Sequence, residues 1–390
     1  MTGAWYGWAV TVPPTSSHLP SRVVVGGYSR DASGDGPEAG TGLRVLDLVA
    51  DGPENVPVSY GTVGLEALPS PTWVVRHPDR PWLLSVGETS PSELVCTRLE
   101  DDGALTVLGR VATGGDAGCH LALVAEGRWV VVAHYGSGTV ESFAQHADGR
   151  LSGPYGRHLT TAPPGPDRER QAGPHAHQVV VDPSRPGELL VPDLGTDRVH
   201  RLRLTDDGDL VEAAAPVVLP PGFGPRHLVV AGDVLVVVGE LSAQLWLARR
   251  DGEGWRPTQV LPTTRPADHA HPGPGAQDAR PQPSGLRLAG HLVVVAVRGV
   301  DRLATFRLDR ATGTVAPTGE ASCAGHNPRD LVVHDGRVWV ANQDSDEVVV
   351  LDLGAVADGR DEAPRVRIAV PRPACVVLVD DRPAGRGPGR

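Results

Sequence analysis

The sequence predicts an all-β protein, a seven-bladed β-propeller whose last blade is closed by strands from both chain termini. Three observations carry that reading. A four-strand unit recurs: its anchors Val75, Leu123, Val180, Val229, Leu286, Val332 and Val377 lie 48, 57, 49, 57, 46 and 45 residues apart, the spacing of propeller blades. The 48 glycines and 37 prolines are spread through all 390 residues, marking many turns between short strands. The apolar segments are short and rich in Val, and no long stretch keeps a helical period.

Each unit opens with a short strand: Thr72–Arg76, His120–Val124, Gln178–Asp182, His227–Ala231, Gly285–Leu288, Asp330–His334 and Cys375–Val379. A tight polar turn leads to a stronger strand, as at Trp82–Val86, Trp129–Ala133, Val234–Val238 and Arg337–Ala341. A third strand follows, as at Leu94–Leu99, Arg198–Leu204 and Glu347–Leu353, and acidic-Gly turns such as Asp101-Asp102-Gly103 lead to a fourth. The seventh opening strand has only a Gly/Arg/Pro tail behind it. The N-terminal part supplies its partners at Arg22–Gly27, Leu43–Leu48 and Val56–Val63. Such closure removes exposed strand edges. A single propeller domain over residues 1–381 then accounts for the length, with Arg382–Arg390 expected as a disordered tail. Two insertions, Pro154–Gly173 and Leu261–Pro283, fall between the last strand of one blade and the first of the next. They read either as plain surface loops or as a rim around a site on that face.

Composition narrows the function. The 47 acidic residues outnumber 36 basic ones, a formal charge of −11, which as a whole repels nucleic acid and anionic membrane. Every basic residue is Arg, so lysine Schiff-base and lysine general-base chemistry are excluded. Cys96, Cys119, Cys323 and Cys375 are scattered without a CxxC pair, which fits neither a zinc ribbon nor a disulfide scaffold. No apolar run reaches the ~20 residues of a membrane helix. The first ten residues lack a basic start followed by an apolar core, so a cytoplasmic protein is expected. There is no nucleophile elbow and no Walker sequence, and Gly34, Gly36 and Gly40 lie in a polar loop rather than between strand and helix. The HxH pairs at His175/His177 and His269/His271, with Asp193 nearby, hint at a metal. Such a site needs three or more convergent ligands, so no metal and no cofactor are expected.

Several segments stand out together: Gly173-Pro174-His175-Ala176-His177-Gln178, Pro192-Asp193-Leu194-Gly195-Thr196-Asp197-Arg198-Val199, Gly224-Pro225-Arg226-His227-Leu228, Gly239-Glu240-Leu241, Arg298-Gly299 and Ala341-Asn342-Gln343-Asp344-Ser345-Asp346. In their order and blade positions they resemble the lactonase family of seven-bladed propellers, which includes 6-phosphogluconolactonases and carboxy-muconate lactonising enzymes. The resemblance extends from about Val23 to Val379. It implies a catalytic set of His177, Arg226, Glu240 and Arg298. Gly239 and Val297 stand where the family often has Asn.

Those residue types suit lactone opening. A His or Glu can take a proton from the attacking water. Arg offers fixed donors to an oxyanion, carboxylate or phosphate. His175, His120, His227 and Asp193 are further candidates for lining the substrate site, with strand packing as the alternative. His120 and His227 are expected at the same blade position as His177. Arg226 and Glu240 could instead form an inter-blade ion pair. The expected activity is metal-independent hydrolysis of a small anionic sugar lactone, 6-phosphogluconolactone foremost, by a monomer or homodimer. A non-catalytic ligand- or protein-binding propeller and a lactonising, cycloisomerase-type enzyme are the alternatives.

Overall fold

The computed structural model describes residues 20–29, 42–51, 56–66, 68–160, 162–265 and 280–379. These form seven antiparallel sheets. Numbered along the chain, blade 1 starts at the inner strand Pro71–Arg76, blade 2 at Gly118–Val124, blade 3 at Val180–Val181, blade 4 at Pro225–Ala231, blade 5 at Gln282–Ala289 and blade 6 at Pro328–His334. Blade 7 has Pro373–Val379 innermost, followed outward by Arg22–Gly27, Leu43–Asp51 and Val56–Glu66. Val24 pairs with Val377 on one side and Val45 on the other, so both chain ends close the ring as expected.

The second strands are buried along most or all of their length, wholly so in Glu188–Asp193 and Val234–Gly239. Alternation fails there because each blade is sandwiched between two others, so both faces need apolar side chains. Seven apolar clusters result, one at each blade–blade interface: Val236, Val238, Val295 and Val297 join blades 4 and 5, for example, and Val25, Leu46, Trp339 and Val348 join blades 6 and 7. Each fully buried Val contributes ~1.5–3 kcal/mol.

Two details depart from expectation. The segment from Pro154 is not all insertion. Arg157–Leu159 pairs with Thr139–Gln145, continuing blade 2's outer edge after Leu151–Ser152. Leu353 ends no strand but begins the one-turn helix Leu353–Ala357, capped by Asp352 accepting from the Ala355 N–H. No helix among the described residues is long and apolar enough to cross a membrane. The 382–390 tail and the His269/His271 pair lie outside the described residues.

One irregularity recurs in every blade and positions everything that follows. Near the start of the inner strand the pairing slips by one residue. In blade 4 Pro225 faces Gly239 but His227 faces Val238; in blade 6 Pro328 faces Asn342 but Asp330 faces Ala341. Blades 1, 2, 5 and 7 show the same slip. In blade 3 it falls between the Ala176–Asp193 bridge and the Val180–Leu190 pair. A bulge re-aims the side chain at its extra residue. Those residues include Thr72, Cys119, His177, Arg226, Arg329 and Ala374, one per blade, which sets them around the axis at one level.

Candidate active site

His177, Arg226, Glu240 and Arg298 meet at that level. Arg226 occupies the blade 4 bulge, Glu240 follows that blade's second strand, His177 comes from blade 3, and Arg298 ends the second strand of blade 5 (Leu292–Arg298). Arg226 Nη1 lies 2.6 Å from His177 Nε2 and 2.6 Å from Glu240 Oε2. Arg298 Nη2 is 2.9 Å from the same carboxylate oxygen, an ion pair without hydrogen-bond alignment. The Arg226–Glu240 pair is therefore within one blade rather than between two; His177, Arg226 and Glu240 are buried, and the Arg298 side chain is 11% exposed.

Electrostatics follow from that packing. Burial alone would raise the Glu240 pKa, but Arg298, Arg226 and Arg170 overcome it and hold the carboxyl well below its usual range. Glu240 is a fixed anion. Burial and then the Arg226 charge push His177 well below the ordinary histidine value, so its ring is neutral. Burial brings Arg298 down to about 10, which leaves it cationic at neutral pH.

The fourth arm of the network, Arg170, had no signal in the motifs. It lies in the Pro154–Gly173 insertion, and its Nη2 donates to Glu240 Oε1 at 2.6 Å and to Tyr135 Oη at 3.2 Å. The insertion is docked and rims the site. Gln171 Nε2 donates to Leu194 O and Asp197 Oδ1, both at 2.8 Å. A Cβ on Gly195 would lie 1.8 Å from Gly173 O, so only glycine permits this contact. Asp197 also accepts from the Gly222 and Gly224 N–H groups at 2.7 Å, which fixes the turn entering Arg226. Gly239 has no room for the expected Asn: a Cβ there would sit 2.5 Å from both Phe223 O and Ser242 Oγ.

The other sequence candidates divide. His175 stacks on Tyr135 with ring centres 4.4 Å apart, and its Nδ1 lies 2.7 Å from Tyr135 O, beside the Arg170 arm. His120 and His227 do not share the His177 position. They stand one residue past the bulge and so one layer deeper, where Cys119 and Arg226 are the true counterparts of His177. His120 stacks on Trp73 at 4.2 Å, and His227 meets Trp73, His120 and His177 edge-on. They form the buried floor of the site, with only His227 touching a member of the network. Asp193 is not brought to the site at all. Its Oδ1 accepts from the His175 and Gly195 N–H groups at 2.8 and 2.9 Å, and its Oδ2 faces His200. It shapes the loop that carries His175. Among the described residues no group of three or more His, Cys, Asp or Glu could hold a metal ion.

Beyond these, the same level carries groups the motifs did not point to. Arg329 occupies the blade 6 bulge, Glu88 follows the second strand of blade 1, and Tyr28 follows Arg22–Gly27 in blade 7. Tyr28 Oη donates to Glu88 Oε2 at 2.7 Å, and Arg329 lies 3.5 Å from the same oxygen.

Comparison with known proteins agrees with this fold. A family model described as "Lactonase, 7-bladed beta-propeller" matches residues 22–378. The 6-phosphogluconolactonase of Bacillus subtilis (strain 168) is 29% identical over 318 residues, 79% of this chain and 87% of that protein. Among solved structures, the periplasmic gluconolactonase of Pseudomonas aeruginosa superposes with a TM-score of 0.78 and 26% identity, covering 92% of this chain and 98% of that one. A Lactobacillus plantarum protein shares the fold, with a TM-score of 0.77 and 24% identity over 92% of this chain and 99% of its own.

Proposed function

Because the chain belongs to the seven-bladed β-propeller lactonase family, we propose that it hydrolyses a sugar lactone at the His177–Arg226–Glu240–Arg298 network, with 6-phosphogluconolactone as substrate. The observation that carries this is Arg226 Nη1 standing 2.6 Å from both His177 Nε2 and Glu240 Oε2: a base, a donor and an orienting anion in direct contact.

The roles follow from protonation. Neutral His177 takes a proton from water as the water oxygen bonds to the lactone carbonyl carbon. Arg226 and Arg298 offer their guanidinium N–H groups to the developing oxyanion. The ring C–O bond then breaks, and the proton on His177 passes to the departing ring oxygen. Glu240, with a pKa far below neutrality, is a weak base; it holds three arginines in place instead. Arg226 gives up its contact with His177 Nε2 when substrate takes its N–H. The reading includes a cytoplasmic location, supported by four buried cysteines that are all unpaired.

The test is turnover of purified protein on 6-phosphogluconolactone, with gluconolactone and a muconate as controls. Wild type should open the lactone, and His177→Ala should lose at least 10²-fold in kcat, the lower end of general-base effects. Muconate turnover without lactone turnover would replace hydrolysis by the cycloisomerase reading.

A further inference from the structure

The site contains more positive charge than its hydrolytic chemistry uses. The guanidiniums of Arg170, Arg226 and Arg298 surround one carboxylate, Glu240. Among the described residues Arg329 pairs only with Glu88, at 3.5 Å, and Glu88 Oε2 already accepts from Tyr28 Oη. Among the described residues these four guanidiniums face two carboxylates, which leaves two positive charges unmatched. A phosphate monoester carries about −1.5 to −2 at pH 7, and a carboxylate only −1. The unmatched charge therefore suits phosphate better.

The under-paired side of the ring is also the right place for a remote group. Arg329 and Arg226 hold the same bulge position, each preceded by Pro, in blades 6 and 4. Arg226 Nη1 is engaged by both His177 and Glu240, while its buried Nε has no hydrogen-bond partner among the described residues. Arg329 makes one long contact and otherwise rests on the Tyr28 ring, 5.0 Å from its centre. A second guanidinium, Arg372, lies 5.6 Å from the same ring centre, and its buried Nε has no hydrogen-bond partner. His177 belongs to blade 3 and Arg329 to blade 6, the largest separation a ring of seven allows. Arg226 and Arg329 nonetheless stand at the same bulge level of the ring.

Resting on the lactonase reading above, we propose that Arg329, held against Tyr28 and Glu88, receives the phosphate of a phosphorylated sugar lactone while the carbonyl lies at His177 and Arg226. A planar fork binds a phosphate through two parallel N–H···O bonds. Arg329 is thus a specificity-determining residue, and its loss should cost the phosphorylated lactone more than the unphosphorylated one.

Two measurements on wild type, Arg329→Gln and Arg329→Lys test this. The first compares kcat/KM on 6-phosphogluconolactone and gluconolactone. The second compares calorimetric binding of 6-phosphogluconate and gluconate, which needs no turnover. Wild type should prefer the phosphorylated form in both. Arg329→Gln should lower that preference by about ten- to a hundredfold, the worth of one charged hydrogen-bonding group. Arg329→Lys keeps the partner of Glu88 and so protects folding, and it should lower the preference by a smaller factor. A wild type without preference, or a preference kept in a folded Arg329 variant, overturns the proposal. If no lactone is hydrolysed but the binding preference exists and depends on Arg329, the hydrolytic reading fails and this site stands. Normal turnover with a preference independent of Arg329 means the opposite: hydrolysis stands and the phosphate site at Arg329 fails.

Discussion

His177 Nε2 accepts a hydrogen bond from Arg226 Nη1 across 2.6 Å. A guanidinium has donors only, so the imidazole must present its lone pair there and carry its proton on Nδ1, which faces Cys119 Sγ at 3.9 Å. That tautomer is the one a base needs at the Arg226 side.

The first prediction is the pH profile this contact imposes. Burial and the Arg226 charge lower the His177 pKa well below 6.5. The active form is the neutral ring, present above the folded-state pKa. Activity should therefore hold as pH falls through 6.5 and decline only well below it. A kcat/KM profile with its acid limb centred at or above 6.5 would show that the ring is not shielded in this way.

Glu240 is the next test, because it is an anion shared by three cations. Glu240→Gln keeps the shape and removes the charge, leaving Arg226 and Arg298 buried without compensation. Breaking such a pair costs ~3–5 kcal/mol. Arg226 and Arg298 also lose their alignment, so kcat should fall about 10²–10³-fold, the range for one lost oxyanion donor. Both effects should appear together in melting and turnover of the same preparation. A variant that melts like wild type would mean that Glu240 is better hydrated than its burial indicates.

Arg170 should behave differently. Its side chain is 39% exposed, and it reaches Glu240 from a loop rather than a strand. An ion pair of that exposure contributes little to stability. Arg170→Ala should shift Tm by no more than about 2 °C and should raise KM more than it lowers kcat, since it rims the site while His177 and Arg226 stay in place. A large loss of kcat with unchanged KM would move Arg170 into the chemical step.

The sequence showed the ring and most of the network for physical reasons. Blade spacing and the missing partners of Cys375–Val379 force closure, and that strand does pair with Arg22–Gly27. His177, Arg226, Glu240 and Arg298 lie next to turn motifs whose glycines and aspartates are tied to the backbone, as Asp197 is to Gly222 and Gly224. The bulge was invisible, because a one-residue slip leaves no compositional mark; it put His120 and His227 one layer below the expected position. Arg170 was hidden in an insertion that reads as loop. Arg329 and Glu88 did leave a trace. Pro328-Arg329 repeats Pro225-Arg226, and Gly87-Glu88 repeats Gly239-Glu240, each at the matching place in its blade.

The histidine floor supplies the last prediction. His120, His177 and His227 are buried together, and burial is the leading cause that pushes each well below the ordinary histidine pKa. In the unfolded chain each titrates near 6.5. Below that pH the unfolded state binds up to three protons that the folded state refuses, and stability falls as pH falls. These three rings alone contribute up to about 4 kcal/mol per pH unit, three protons at ~1.4 kcal/mol each, and His134, pushed down to about 4 by burial, adds in the same direction. Glu240 contributes in the same direction, but only below the unfolded carboxylate pKa near 4.5. Between pH 6 and 5 the histidines therefore dominate over it. Denaturant unfolding at pH 7.5, 6 and 5 measures the slope directly. His227→Phe removes one of these protons and keeps the ring contacts with Trp73 and His120, so it should flatten the slope by up to one proton's share, ~1.4 kcal/mol per pH unit. An unfolding free energy that is level from pH 7.5 to 5, or a slope untouched in His227→Phe, would show that these rings take up protons in the folded state.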